Sequence, residues 1–347
     1  MSKIPLPDRD ETKRLLPIST SRLVDTFGRV HNNLRISVTD RCNLRCTYCM
    51  PEEVVFMDRA ELLTFEEITH FVRVAAPLGI DKIRLTGGEP LMRRGIERLV
   101  AMLTGIPGIR DIGLTTNGLL LARQAQTLRD AGLQRINISL DTLDAEHFRQ
   151  VSRRDGLEDV LAGIAAAKAA GFDPVKVNAV IIRGQTDEDV VPLALYAREH
   201  GLEMRYIEYM PIGAEPWERS RAYFAHEILE QIERAIGPLV PDEKYDPRAP
   251  AMDFRYVDGR GKVGIIASVS RPFCLSCNRL RLTADGKLRN CLFALDEVDI
   301  KQHLRSAPDD AMLAEAIRGN VYSKWEGHEI NTARFVKPQR TMHAIGG

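Results

Sequence analysis

The chain has 347 residues, and its 48 Lys and Arg balance 48 Asp and Glu to a formal net charge of +0. This balance argues against a generally cationic nucleic-acid coat and against an acidic tail, while leaving room for a small basic pocket. No apolar run approaches the ~20 residues needed to cross a bilayer, and the charged, Pro-bearing opening lacks a signal-peptide core. The expectation is therefore a cytoplasmic protein with neither membrane nor nucleic acid as partner.

In chain order, residues 1–20 read as an N-terminal extension, and a strand–helix rhythm follows. Strands are expected at 34–38, 82–86, 112–116, 136–140, 176–182 and 203–209, each short and rich in Ile, Leu or Val as buried parallel strands are. Helical patterns at 65–79, 95–106, 120–132, 157–171 and 187–201 lie between them, with a further one at 223–237. Most of them end on or just before Gly, the usual residue past a helix C-terminus. Such alternation indicates an α/β domain with a parallel sheet over 21–238. Residues 239–253, rich in Pro and Asp, read as a linker. A hairpin is expected from 254–258 and 262–269 around Gly259-Arg260-Gly261, then helical segments near 299–307 and 312–319. Residues 254–340 form a C-terminal region, and 341–347 a tail ending in Gly346-Gly347.

In a βα architecture, chemistry gathers beyond the carboxyl ends of the strands. Here those ends run into TDRCNLRCTYC, TGGEP, TTNG, SLDT and EYMPIG, a crowding that points to one large site.

The six cysteines fall in two triples, Cys42, Cys46 and Cys49, then Cys274, Cys277 and Cys291. Odd-numbered groups of closely spaced thiols in a reducing compartment suit metal or iron–sulfur ligation better than disulfides. Three thiolates hold zinc only with a fourth ligand from elsewhere; for the second triple His303 and His328 are the nearest downstream candidates. An iron–sulfur cube with three protein ligands instead leaves one iron open for a small molecule. Arg279 and Arg281, flanking Leu280 beside the second triple, are suited to phosphate oxygens.

Cys42-x3-Cys46-x2-Cys49, with Tyr48 before the third cysteine, resembles the signature of radical S-adenosylmethionine enzymes. The resemblance implies a [4Fe–4S] cluster on these cysteines and S-adenosylmethionine on its open iron. It places Tyr48 against the adenine, Gly88 and Glu89 of the GGEP run near the methionine ammonium, and Ser139 and Met210 on the same cofactor. The second triple, the NRLRLTADGKLRNCL segment and the terminal Gly-Gly narrow the likeness to the branch that acts on GTP in molybdenum cofactor biosynthesis. Cys274, Cys277 and Cys291 would then hold a second [4Fe–4S] cluster facing guanine. Arg35, Arg84, Thr115, Lys176, Arg279, Leu280 and Arg281 would bind GTP, and Gly346 and Gly347 would enter the site to assist the radical step.

Six units rather than eight, taken with this resemblance, imply an incomplete (β/α)6 TIM-type barrel. Its open side would be covered by the C-terminal α+β region. The family also implies an external electron donor, a homodimer and hand-off of product to cyclic pyranopterin monophosphate synthase. Two rival classes are disfavoured. A peptide-maturing radical enzyme typically carries more cysteines. A zinc-stabilised RNA-binding module fits poorly with balanced charge, 6% aromatic residues and no stacking platform.

Overall fold

The computed structural model describes residues 22–346 apart from 214, 215, 245, 247 and 306–308. The whole of the expected N-terminal extension, residues 1–20, and Gly347 lie outside the described residues. In chain order the strands are β1 (Asn33–Ser37), β2 (Lys82–Thr86), β3 (Asp111–Thr116), β4 (Arg135–Ser139), β5 (Lys176–Ile181), β6 (Glu203–Glu208), β7 (Leu239–Pro241), β8 (Met252–Tyr256), β9 (Lys262–Ile266), β10 (Arg279–Leu282), β11 (Lys287–Arg289) and β12 (Val298–Asp299). The helices are α1 (Phe65–Ala75), α2 (Ile96–Thr104), α3 (Ala125–Asp130), α4 (Ala145–Ser152), α5 (Leu157–Ala169), α6 (Val190–His200), α7 (Ala225–Ala235), α8 (Lys301–Arg305), α9 (Asp310–Tyr322) and α10 (Met342–Ile345).

All six expected βα strands form, side by side and parallel. The C-terminal region then extends this parallel run at both ends, β10 pairing with β1 and β9 with β6. Antiparallel wings complete a mixed sheet in the order β12-β11-β10-β1-β2-β3-β4-β5-β6-β9-β8-β7. The start of the expected linker is itself the edge strand β7, paired with β8. Both outer strands are very short, which leaves little edge for another chain to pair with.

Side chains alternate along every parallel strand. Leu34, Ile36, Ile83, Leu85, Ile112, Leu114, Ile136, Ile138, Val177 and Met204 all turn to the helix layer, forming the main core with Phe71, Val72, Leu99 and Leu103. Each such burial stabilises by roughly 1.5–3 kcal/mol. The alternate positions, among them Arg35, Arg84, Thr115, Asn137, Lys176 and Arg205, face the other way, into the barrel.

Local chemistry fixes the helix ends that matter to the site. Thr64 and Glu67 form a reciprocal capping box at the start of α1. Arg305 of α8 then forks onto Glu67 at 2.6 and 3.2 Å, tying the C-terminal region to the barrel. Helix α4, absent from the sequence expectation, starts on an Asp144 cap that accepts from His147 N–H at 2.7 Å.

Candidate active site

The first cysteine loop is fastened at both sides. Arg45 and Thr47 donate backbone N–H groups to Ser152 and Val151 at the end of α4, at 2.9 and 3.0 Å. The Arg45 guanidinium folds back on the carbonyls of Cys42 and Leu44 at 2.7 and 2.8 Å. Donors aim at the thiols themselves. Leu44 N–H and Asn117 Nδ2 lie 3.4 and 3.8 Å from Cys42 Sγ, and the His343 backbone N–H, in α10, meets Cys49. Burial pushes the Cys42 thiol up to about 11 and the Cys49 thiol up to about 12, the charge of Cys42 adding to the effect at Cys49, and Cys46 is raised as well.

That donor set fits an iron–sulfur cluster: half-buried thiols that need a strong positive charge to ionise, with N–H groups directed at sulfur. Among the described residues no three His, Cys, Asp or Glu side chains converge as a single-ion site would require. A zinc site gathers its ligands around one ion, whereas a cube spreads its thiolates over different irons.

Next to this loop the GGEP run lies flat against the chain that enters it. Gly88 N–H donates to Thr39 O at 2.7 Å and Glu89 N–H to Arg41 O at 2.8 Å. A Cβ on Gly88 would meet the Asp40 and Arg41 carbonyl oxygens at 2.5 Å, so only glycine permits the approach. The Glu89 carboxylate is buried and engaged by protein donors: Leu91 N–H at 2.9 Å and Thr116 Oγ1 at 2.8 Å on one oxygen, Asn117 N–H at 2.7 Å on the other. Burial pushes it up to about 7. Glu89 thus clamps the end of β2 to the end of β3, in addition to whatever it offers a ligand.

Tyr48 donates its hydroxyl to Asp141 Oδ2 at 2.6 Å, and Asp141 Oδ1 accepts from Val180 N–H at 2.8 Å. The loop after β6 presses on the same tyrosine: a Cβ on Gly213 would lie 2.0 Å from Tyr48 O. Ser139 closes β4 in register with Asn178, and Met210 packs in a small apolar cluster with Ile212, Phe293 and Ile345. The carboxyl ends of β2, β3, β4 and β6 are therefore gathered around one loop, as the strand-end motifs lead one to expect.

Around the second triple, Cys277 stands apart in its electrostatics. Burial works to raise its thiol, but Arg279 and Lys324 overcome this and bring it down to about 6. Lys324, itself buried, reaches Cys277 Sγ at 3.4 Å and Arg279 O at 2.9 Å. Arg29, held by Asp25 at 2.6 Å, donates to the carbonyls of Cys274 at 2.8 Å, Glu326 at 2.6 Å and Trp325 at 2.6 Å. His31 completes this network at 2.9 Å from Asp25. Again the residues fit a cluster: three thiols with cations beside them and a cross-braced loop.

Between the two triples the barrel interior is basic. Arg281, Arg35 and Arg84 are register neighbours on β10, β1 and β2. Burial first, then the charges of Arg281, Arg279 and Arg84, depresses Arg35 well below the usual range; burial with Arg135 and Arg205 brings Arg84 down to about 9, and burial with Arg279 brings Arg281 down to about 9. Arg84 Nη1 and Arg205 Nε are buried without a hydrogen-bond partner among the described residues. Arg279 stacks over Phe273, 4.4 Å from the ring centroid. Lys176, at the start of β5, pairs with Glu203, and Thr115 lies on β3 opposite Asn137. Leu280 differs from its neighbours: its side chain is fully buried in the main core, on the other face of β10. Only its backbone is available to a ligand in the barrel.

Gly346 lies inside as well. Its carbonyl accepts from Arg281 Nη1 at 2.7 Å, and a Cβ there would meet Thr86 Oγ1 at 2.6 Å and Ser37 Cβ at 2.8 Å, at the ends of β2 and β1. Its φ of +86° is a second reason for glycine.

Several of these residues escape the sequence reading: Asp141, Asn117, Gly213, Arg205, Lys324 and Glu208. Glu208, fully buried at the end of β6, collects Val269 and Ser270 N–H at 2.7 Å and Ala225 N–H at 2.9 Å. Signals existed for some. SLDT, TTNG and EYMPIG stand at strand ends, and the K-I-R-L-T and R-I-N-I-S alternation marks a polar interior where an ordinary barrel packs Val, Ile and Leu.

Comparison with known proteins adds an independent line. The Radical SAM superfamily matches residues 36–197, and the Molybdenum Cofactor Synthesis C family residues 202–330. A GTP 3′,8-cyclase of Mycobacterium sp. (strain KMS) is 48% identical over 332 residues, 95% of each chain. One from Rhodopirellula baltica is 46% identical over 330 residues, 94% of this chain and 92% of the relative. Among solved structures, Streptococcus suis SuiB bound to S-adenosylmethionine superposes with a TM-score of 0.60 at 15% identity, over 84% of this chain and 68% of its own. That likeness concerns the fold alone.

Proposed function

The chain belongs to the GTP 3′,8-cyclase family of radical S-adenosylmethionine enzymes, and from this premise we propose how its own residues divide the work. The family's reaction, a lyase activity at the start of molybdenum cofactor biosynthesis, joins C3′ and C8 of GTP as (8S)-3′,8-cyclo-7,8-dihydroguanosine 5′-triphosphate. When bound, S-adenosylmethionine and its iron–sulfur cluster supply the 5′-deoxyadenosyl radical that takes the 3′ hydrogen.

Cys42, Cys46 and Cys49 hold the first [4Fe–4S] cluster in this reading, and Cys274, Cys277 and Cys291 the second. Tyr48, oriented by Asp141, and the flat Gly88–Glu89 backbone receive S-adenosylmethionine together with Ser139 and Met210. Arg35, Arg84, Arg279 and Arg281, joined by Thr115, Lys176 and Arg205, receive GTP, and the Leu280 backbone lines it. Positioning carries selectivity, because C3′ and C8 must be held nearly in contact within one nucleotide. Gly346 completes the wall nearest Arg281, and Gly346 and Gly347 assist the radical step in this reading. Residues 254–340 supply the second cluster's ligands and cover the open side of the barrel formed by 21–238. A cytoplasmic homodimer, an external one-electron donor and transfer of product to cyclic pyranopterin monophosphate synthase complete the proposal.

The observation that carries this reading is the row Arg281, Arg35 and Arg84, one buried and two half-buried cations side by side, with Arg84 Nη1 lacking a hydrogen-bond partner among the described residues. The test is anaerobic turnover of GTP deuterated at C3′, with S-adenosylmethionine and a reductant, read by liquid chromatography–mass spectrometry. Deuterium should appear in 5′-deoxyadenosine alongside a cyclised nucleotide. Label-free 5′-deoxyadenosine would rule out the 3′ abstraction.

A further inference from the structure

The segment that brings Gly346 into the barrel is short. Helix α10 has four residues, too few to hold its own shape in water. Something must seat it. Ile345 and Met342 pack in the small apolar cluster with Ile212 and Phe293, but apolar packing is non-directional and does not set the position of a carbonyl. A directional anchor stands immediately before the helix. Arg340 forks onto Asp285, Nη2 to Oδ2 at 2.7 Å and Nη1 to Oδ1 at 3.2 Å, while its Nε lies 2.8 and 3.0 Å from the two oxygens of Glu297.

Both carboxylates are fixed from behind. Asp285 Oδ1 accepts from Thr283 Oγ1 at 2.6 Å, in the turn between β10 and β11. Glu297 also pairs with Arg289, a buried residue at the end of β11 whose Nη2 donates to Ala294 O at 2.5 Å and Leu292 O at 3.3 Å. The loop braced by Arg289 carries Cys291. One chain of charges, Asp285–Arg340–Glu297–Arg289, therefore runs from the tail to the second cysteine triple. Its four members are only partly exposed, so the pairs are less screened than surface ion pairs.

We propose that Arg340 is a positioning residue for cyclisation, a latch that seats α10 and so places Gly346 on Arg281. It touches no reacting atom. The catalytic half of this proposal rests on the reading of Gly346 as part of the active site; the mechanical half does not.

Arg340→Gln, Arg340→Lys and Asp285→Asn, each reconstituted with iron and sulfide, test it. Hydrogen–deuterium exchange of residues 341–346 is the readout that does not depend on turnover. In Arg340→Gln it should quicken at least ~10-fold while iron content stays at the unaltered level. Arg340→Lys, keeping one charged contact, should recover part of the protection. In turnover, Arg340→Gln should still form 5′-deoxyadenosine but yield far less cyclised nucleotide per molecule cleaved. Should Arg340→Gln fail to fold, Asp285→Asn opens the same fork from the other side and is read in the same way. Unchanged exchange in the folded variants would overturn the latch. Faster exchange with normal cyclisation would leave the latch standing as a structural device, overturning its role as a positioning residue and the catalytic reading of Gly346.

Discussion

Arg84 sits in the middle of β2 with Nη1 buried and without a hydrogen-bond partner among the described residues, opposite a glycine whose missing side chain leaves it room: a Cβ on Gly113 would lie 3.0 Å from Arg84 Cζ. Burial, with Arg135 and Arg205 nearby, holds its guanidinium down to about 9. An uncompensated buried cation costs stability in the empty protein and gains it back only against an anion. Arg84→Met should therefore act in opposite directions on two measurements. GTP affinity, measured by equilibrium dialysis, should fall roughly 10- to 100-fold, the loss expected for a charged hydrogen-bond donor. The melting temperature of the ligand-free protein should rise by a few degrees, about 1 kcal/mol. Loss of both affinity and stability would mean that Arg84 is an ordinary structural residue.

At the scale of single elements, β10 and α10 each join two tasks. Strand β10 gives Leu280 and Leu282 to the core and Arg279 and Arg281 to the interior, by simple alternation. Helix α10 puts a backbone N–H on Cys49 near its start and delivers Gly346 to Arg281 at its end. Gly346→Ala meets both the +86° backbone and the contacts at 2.6 and 2.8 Å, so it should displace the segment. Cyclisation is expected to drop by at least about 100-fold, the usual cost of misplacing a catalytic wall by an ångström. Iron content and S-adenosylmethionine binding should be unaltered, which iron analysis and calorimetry would check. Normal turnover would show that the end of α10 is not part of the site. The six βα strands and both cysteine triples were legible in the sequence because each is a local pattern: a short apolar run, a fixed spacing. The pairings β1–β10 and β6–β9 were not, since no local pattern reports which distant strand extends a sheet. For the same reason Leu280 looked like its arginine neighbours until the sheet showed which way it points. Asp141 and Arg340 earn their meaning from partners far away in the chain, Tyr48 and Asp285, and neither stands out by residue type.

Across the whole molecule, equal counts of acid and base conceal a local gathering of cations in the barrel. Arg35, Arg84, Arg205, Arg279 and Arg281 are directed inward, where Arg205 faces Asp253 at 3.8 Å, while the buried acids Glu89, Asp141 and Glu208 stand at the strand ends and are engaged there by other donors. The interior should thus bind a polyanion without a nucleoside. Inorganic tripolyphosphate at saturating concentration should raise the melting temperature, equivalent to about 2.7 kcal/mol at a hundredfold excess over its dissociation constant. The shift should shrink as salt is raised. A shift insensitive to salt, or none, would show that these cations do not form a phosphate site. The sheet order has another outcome, for how the protein comes into being. Strand β1 is made early, but its partner on one side, β10, lies far downstream, so through most of synthesis β1 offers an unpaired apolar edge. Parallel pairing between segments so distant in sequence is slow to form, and an edge left open meanwhile invites contact with other chains. Yield of soluble protein should consequently be governed less by the stability of the finished barrel than by how long a growing chain must wait for its last third.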